Sequence, residues 1–342
     1  MAHPPAGWQV SISLKARQIK LAMIKILAND GIDAIAIEML EKAGYQVDTT
    51  TIAQEELPAR LNEYDALVVR SATKVRQPLI DACPNLKVIV RAGVGMDNID
   101  VEYARSVGKT VLNTPLASSQ SVAELVFAHM FTLARFLHQS NRDMPIKGDT
   151  DFNKLKKNYA AGVELRGKTL GIIGFGAIGQ SVARMALGLG MNVMPFKLHH
   201  AEVKIYIDYF KIKDAEVAIK MRTDDFDDLL AQSDFITLHV PFKEGDPAIL
   251  YKERFDKMKD GVFVINTARG GAIVEDDLLD ALNSGKVAGA ALDVFENEPL
   301  PNRAILAHPK ISLSPHIGAS TNEAQERVGE EVADKLIAFF GK

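Results

Sequence analysis

The 342-residue sequence predicts an α/β protein of two doubly wound parallel-sheet domains, and three observations carry that reading. Short apolar runs of strand length alternate with longer amphipathic stretches along most of the chain, which implies parallel sheets covered on both faces. The run Thr169–Ile173 passes at once into Gly174-x-Gly176-x-x-Gly179 and then into a helical stretch, the strand–turn–helix context in which a dinucleotide is held. The length accommodates two full cores.

In chain order, residues 1–22 are read as a leader or disordered N-terminal extension. Met1–Asn29 has no acidic residue and carries Lys15, Arg17 and Lys20, a composition shared with transit peptides, and His3-Pro4-Pro5 has little to pack with. Strands follow at Ile24–Ala28, Gln46–Thr50, Ala66–Val69, Lys87–Val90 and Thr110–Leu112, separated by helical stretches such as Ile32–Ala43 and Pro78–Cys83. This first unit, residues 23–120, has no glycine fingerprint of its own.

Ser119–Phe136 reads as a connector helix with Val122, Leu125, Val126, Met130, Leu133 and Ala134 at core spacing. It opens a second unit, residues 121–317, with strands at Thr169–Ile173, Asn192–Phe196, Phe235–Val240, Val262–Asn266, Ala288–Leu292 and Ile311–Ser314. Six parallel strands is the Rossmann count. Val203–Ile212 alternates with period two and is read as a surface hairpin beside the adenine end of a bound dinucleotide. The last helix, Thr321–Phe340, has no place inside a completed six-stranded sheet. Residues 318–342 are therefore assigned back to the first unit, which becomes a discontinuous, flavodoxin-like domain.

Each glycine of the fingerprint has a task. Gly174 permits the sharp turn, Gly176 lets backbone approach a pyrophosphate, and Gly179 lets the helix pack on the sheet, with Ala177 and Ile178 supplying N–H groups at the helix start. An acidic residue about 20 positions on would bind the adenosine ribose. Lys197 stands there instead, and no Asp or Glu occurs between Leu165 and Ala201. The fingerprint calls for NAD, and NADP stays open beside it because a cation at Lys197 attracts a 2′-phosphate.

A net charge of −4 spread along the chain gives no footprint for nucleic acid, and no apolar run reaches the length of a membrane span. Cys83 is the only cysteine, which excludes an internal disulfide and a Cys-built metal site and fits a reducing, cytoplasmic compartment. No His/Asp/Glu set has metal-ligand spacing.

Ligands of parallel sheets bind at the carboxyl ends of strands. Three chemical groups fall there: Arg269 in Asn266-Thr-Ala-Arg-Gly-Gly271, Glu298 in Asp293-Val-Phe-Glu-Asn-Glu-Pro299, and His316 in Ser314-Pro-His-Ile-Gly318. Together they suit hydride transfer at a 2-hydroxy or 2-oxo acid. His316 exchanges the hydroxyl proton, Glu298 orients the imidazole, and Arg269 grips a carboxylate with its planar fork of donors. His239-Val240-Pro241, Thr267, Ala268 and Gly318 are read as further lining of the cofactor cleft. His129 and His138 are placed on the connector helix as structural groups, and His199 and His200 at the adenine end.

Arg70-Ser-Ala-Thr-Lys74, Arg91-Ala-Gly-Val-Gly95, the fingerprint, and the three segments carrying Arg269, Glu298 and His316 occur in an order that resembles the D-isomer-specific 2-hydroxyacid dehydrogenases. The resemblance runs from Ile24 onward and implies Arg269, Glu298 and His316 as the catalytic set. It also implies that the N–H groups of Val94 and Gly95 hold the substrate carboxylate and that Asp293 holds the nicotinamide carboxamide. Arg70, Ser71, Lys74 and Arg135 are the candidates for a substrate phosphate, since a dianion calls for several donors. Within the family the likeness points to members that oxidise 3-phospho-D-glycerate to 3-phosphooxypyruvate, for serine synthesis, with glyoxylate or hydroxypyruvate reduction as the alternative. Ser118 stands where many phosphate-handling members carry Asn. A homodimer through the nucleotide-binding domains is implied, as is a short form without a C-terminal regulatory domain. From another class comes a dinucleotide-sensing binding protein of corepressor type.

Overall fold

The computed structural model describes residues 23–199, 202–207, 217–243 and 245–341. The predicted leader, His200 and the stretch Asp208–Ile212 of the predicted hairpin lie outside the described residues.

The first sheet contains β1 (Lys25–Ala28), β2 (Gln46–Asp48), β3 (Ala66–Val69), β4 (Val88–Arg91) and β5 (Thr110–Asn113). All pair in parallel, in the order β2-β1-β3-β4-β5. That is the flavodoxin-like order, with its switch point between β1 and β3. Local chemistry sets the ends. Helix α1 (Ala34–Lys42) begins after Asp33, whose carboxylate caps the N–H of Ile35, and β2 stops where Asp48 Oδ1 accepts the N–H of Thr50. Helix α2 (Gln77–Ala82) takes its start from Pro78.

The second sheet contains β6 (Thr169–Ile173), β7 (Asn192–Phe196), β10 (Phe235–Leu238), β11 (Val262–Asn266), β12 (Val287–Leu292) and β13 (Ile311–Leu313), while β8 (Glu202–Ile207) and β9 (Val217–Arg222) form a separate antiparallel ribbon. The six strands run β13-β12-β11-β10-β6-β7, all parallel. The count agrees with the sequence reading, but the order does not reproduce 3-2-1-4-5-6. Beyond β7, where that order places a third strand, the chain instead forms the β8–β9 ribbon. The ribbon's second arm is also later than predicted: β8 pairs with β9, not within Val203–Ile212. Alternation explains its docking, for Ile205 is buried with Val182, Ala183 and Ala186 of helix α5 (Ala177–Gly188), with Val203 and Met221 beside it.

Helix α3 (Ser119–Ala134) packs along α5 and buries Val122, Val126, Met130 and Leu133. It ends before Phe136, whose φ of 55° breaks the helix, so His138 belongs to the next helix, α4 (Leu137–Lys147), and not to the connector. Helix α6 (Glu275–Ser284) follows β11. Helix α7 (Asn322–Phe340), the last, packs on α1. Its Val328, Val332, Ala333 and Leu336 join Ile26, Ala28, Ala66 and Val88 in the core of the first sheet. Each fully buried Val, Leu or Ile among them is worth roughly 1.5–3 kcal/mol, so distant parts of the sequence hold this layer together.

Candidate active site

The dinucleotide end is built on the switch point between β6 and β10. Gly174 has φ 100°, and a Cβ there would lie 2.4 Å from the His239 carbonyl oxygen, so turn and neighbour both demand glycine. A Cβ on Gly179 would lie 2.3 Å from the Gly174 oxygen, which keeps α5 tight against the turn. Gly176 is different. Its φ is −84° and nothing lies within 4 Å of where its Cβ would be, so the chain's own packing does not require glycine. What it keeps clear is the space ahead of α5, whose first turn, from Ala177 and Ile178, has no side-chain cap. Uncapped N–H groups at the positive end of the helix fit a pyrophosphate.

Farther along, His239 Nδ1 and Thr267 Oγ1 are buried without a hydrogen-bond partner among the described residues, and both belong to the strand ends that border this cleft. Burial pushes the His239 imidazole down to about 3, so the ring is neutral near pH 7. Val240 and Pro241 continue from it against the glycine turn, where Val240 Cγ1 lies 2.9 Å from a Cβ on Gly174. These groups fit a nicotinamide dinucleotide. Lys197 is exposed just past β7.

Beyond the end of β11, Asn266 holds the turn that presents Arg269: its Oδ1 accepts the N–H of Ala268 and its Nδ2 donates to the Arg269 carbonyl. The guanidinium donates to Asp97 of the first unit, through Nε at 2.9 Å and Nη2 at 2.8 Å, and lies where a Cβ on Gly95 would be 1.5 Å away. Glu298 and His316 meet. Glu298 Oε2 is 2.7 Å from His316 Nδ1, while Oε1 accepts the Phe295 N–H. A carboxylate only accepts, so Nδ1 carries the proton of the neutral ring and Nε2 is left as a base. His316 has φ 54°, and the two following N–H groups, of Ile317 and Gly318, both donate to Asp293.

Two carboxylates fix the spacing of these loops. Glu275 N–H donates to Glu296 and Glu296 N–H donates to Glu275, joining the start of α6 to the loop that carries Glu298. Burial raises the Glu275 carboxyl above its ordinary range. A Cβ on Gly270 would fall 1.9 Å from the Phe295 oxygen, so only glycine lets the Arg269 turn and the Glu298 loop touch.

On the facing side, Arg70 follows β3 directly, and its N–H donates to Asp30. The N–H groups of Val94 and Gly95 have no partner among the described residues, while Asn113 holds the Val94 carbonyl. Sequence reasoning missed Arg91. Its Nε is buried without a partner, and burial, then the Arg269 and Arg70 charges, pushes the group down to about 10. Arg91 Nη1 lies 1.3 Å from where a Cβ on Gly93 would be, two residues before the Gly95 position that Arg269 crowds, so Arg91 and Arg269 border one loop, and Arg70 follows the strand paired with β4. A signal existed: Arg91 is a lone cation closing an apolar strand before Gly93 and Gly95.

Lys74 is exposed and its Nζ donates to the Ser71 carbonyl, with Ser71 exposed beside it. Arg135 caps the far end of α3. The start of α3 touches the site through Ser121, which donates to the Gly318 carbonyl, and a helix of that length carries Arg135 roughly 20 Å farther on. Within one chain it does not reach the site.

A dinucleotide turn at a sheet's switch point, with Arg, Glu and His on three successive strand ends, defines a nicotinamide-dependent oxidoreductase. The chain belongs to the D-isomer-specific 2-hydroxyacid dehydrogenases, for residues 127–318 match the NAD-binding domain of that family. It is 43% identical to a hydroxypyruvate reductase of Thermotoga maritima over 94% of this chain and all of that protein. With a D-3-phosphoglycerate dehydrogenase of Archaeoglobus fulgidus it shares 41% identity over 92% of this chain, which spans 57% of that protein's length. Its fold superposes on a glyoxylate reductase from Paecilomyes thermophila with a TM-score of 0.77 at 29% identity, covering 94% of this chain and 97% of the other. The activity is that of a D-2-hydroxyacid dehydrogenase. No helix among the described residues is long and apolar enough to cross a membrane.

Proposed function

We propose that the protein oxidises 3-phospho-D-glycerate to 3-phosphooxypyruvate. The observation that carries this reading is that Arg91 and Arg269 lie against Gly93 and Gly95 of one loop, with Arg70 following the adjoining strand, guanidinium groups suited to a substrate with a carboxylate and a phosphate. A nicotinamide dinucleotide held by the turn after β6 would supply the hydride acceptor. The chain's own groups do the rest: the N–H groups of Val94 and Gly95 and the Arg269 fork hold the carboxylate, and Arg269 stabilises charge on the reacting oxygen. His316 Nε2 takes the hydroxyl proton, and Glu298 stabilises the imidazolium that results. Asp293 keeps one lone pair beyond its bonds within the chain, which suits the nicotinamide carboxamide.

Reduction of hydroxypyruvate or glyoxylate is the second reading. It is favoured by the likeness to the Thermotoga reductase along that protein's whole length and by a Lys74 bound to the Ser71 carbonyl. The deciding experiment is a substrate panel run with NAD and NADP. Turnover of D-glycerate equal to that of its 3-phosphate would remove the phosphate reading.

A homodimer through the nucleotide-binding unit is part of the same proposal. Phe131 of α3, Leu137, Met144 and Ile146 of α4, and Phe152 beyond them are exposed and apolar, an arrangement that suits a second copy. Sedimentation at two concentrations tests it; a monomer at both would refute it.

A further inference from the structure

We propose that His129 is a positioning residue for His316, acting through a hydrogen-bond chain of fixed direction that ends on Asp293. The inference rests on the reading of His316 as the proton-transfer group. His129 lies on α3, buried, with Nε2 at 2.9 Å from Ser314 Oγ and Nδ1 at 2.9 Å from Ser312 Oγ. Ser314 Oγ lies 2.6 Å from Asp293 Oδ1, and Asp293 also accepts the N–H groups of Ile317 at 2.9 Å and Gly318 at 2.8 Å.

Counting protons fixes every direction. Asp293 is 1% exposed and accepts three hydrogen bonds, from the Ser314 hydroxyl and from the N–H groups of Ile317 and Gly318. Ser314 has one hydroxyl proton, and an acceptor-only carboxylate claims it. Ser314 Oγ is then an acceptor towards His129, so Nε2 carries the ring proton. Burial lowers the His129 pKa and keeps the ring neutral, which leaves Nδ1 as an acceptor for Ser312. The sequence Ser312 to His129 to Ser314 to Asp293 donates one way throughout.

Its end point is the loop that carries the reacting imidazole. A non-glycine residue at φ 54° is strained and persists only where its surroundings impose it. Asp293 imposes it by holding the two N–H groups that follow His316. Ser121, two turns before His129 on the same helix, holds the Gly318 carbonyl at 2.7 Å.

Nitrogen NMR of the protein without cofactor is expected to show His129 protonated at Nε2 and bare at Nδ1; the opposite tautomer would overturn the proposal. In steady-state reduction of a 2-oxo acid, Ser314→Ala is expected to lower kcat roughly 10- to 100-fold with KM changed by no more than about two-fold, because a displaced imidazole loses alignment and not substrate contacts. Ser314→Thr, which keeps the hydroxyl, should recover most of the rate. His129→Gln should lie between Ser314→Ala and Ser312→Ala, and it carries the kinetic test if Ser314→Ala does not fold. Wild-type kcat in both Ser314→Ala and His129→Gln, or a loss that Thr does not recover, would refute the positioning role. A wild-type protein inert towards every 2-oxo acid would refute the functional reading instead, and the His129 tautomer would still decide the chain's direction.

Discussion

Arg269 and Asp97 are bound to each other across the two units: one carboxylate oxygen, Oδ2, takes both Nε and Nη2 of the guanidinium, at 2.9 and 2.8 Å. The residues are 172 positions apart, one past β11 of the second sheet and the other past β4 of the first. Nη1 donates to the Ala268 carbonyl, so the fork is held with donors to spare. Substitution of Asp97 by Asn is expected to free the guanidinium and lower kcat/KM about ten-fold. Stability should barely move, because half-exposed pairs contribute roughly 0–1 kcal/mol. An unchanged kcat/KM with a large fall in Tm would make the pair a structural clamp.

The contact between His316 and Glu298 yields a second expectation. His316→Ala should lose about 10²- to 10⁴-fold in kcat, the usual contribution of a positioned acid or base. The dinucleotide turn is built by other residues, so cofactor affinity measured by fluorescence titration should stay near that of the wild type. A parallel loss of cofactor binding would mean that the loop had collapsed.

Arg91 separates the two substrate readings. If its guanidinium meets a phosphate, Arg91→Met should raise KM for phosphorylated substrate by roughly 10- to 100-fold, as expected for loss of a charge-assisted bond of about 1.5–3 kcal/mol. Glyoxylate reduction should be nearly unchanged. Equal damage to both substrates would place Arg91 in the scaffold.

The sequence shows some of these features and hides others, for physical reasons. Gly174, Gly176 and Gly179 sit in a local turn, so their spacing alone carries the geometry. Arg269, Glu298 and His316 are visible because the end of a parallel strand is a place that can be read from an apolar run. Arg91 was missed because its burial depends on the loop folding back over β4. Nothing near His129 in the chain announces its partners, since Ser312 and Ser314 are 183 and 185 residues away. Arg135 was assigned to the substrate on charge alone, and only the length of α3 shows where it lies. Period-two alternation found β8, but its partner β9 begins only at Val217, beyond the alternating run Val203–Ile212.

Acid should weaken the fold through His239. Its folded-state pKa is depressed to about 3 by burial, while the unfolded chain protonates near 6.5, so below that value the unfolded state binds the extra proton. Stability is therefore full above about pH 6.5 and declines as pH falls towards 3. His129, also lowered by burial, adds in the same direction. In His239→Gln the drop in Tm between pH 7 and pH 5 should shrink relative to wild type; an identical drop would place the acid sensitivity in other groups.

Lys197 decides cofactor preference if it meets the adenosine ribose. It follows β7 at the edge of the second sheet, exposed, where an acidic residue would bind ribose hydroxyls and repel a 2′-phosphate. An ammonium there does the reverse. Lys197→Asp is expected to raise the ratio of kcat/KM for NAD over NADP by about ten-fold or more, most of it through weaker NADP binding. The shift should diminish at high salt, since screening acts on exposed charges. An unchanged ratio at low ionic strength would assign the preference to the backbone of the turn after β6 and leave Lys197 a solvated bystander.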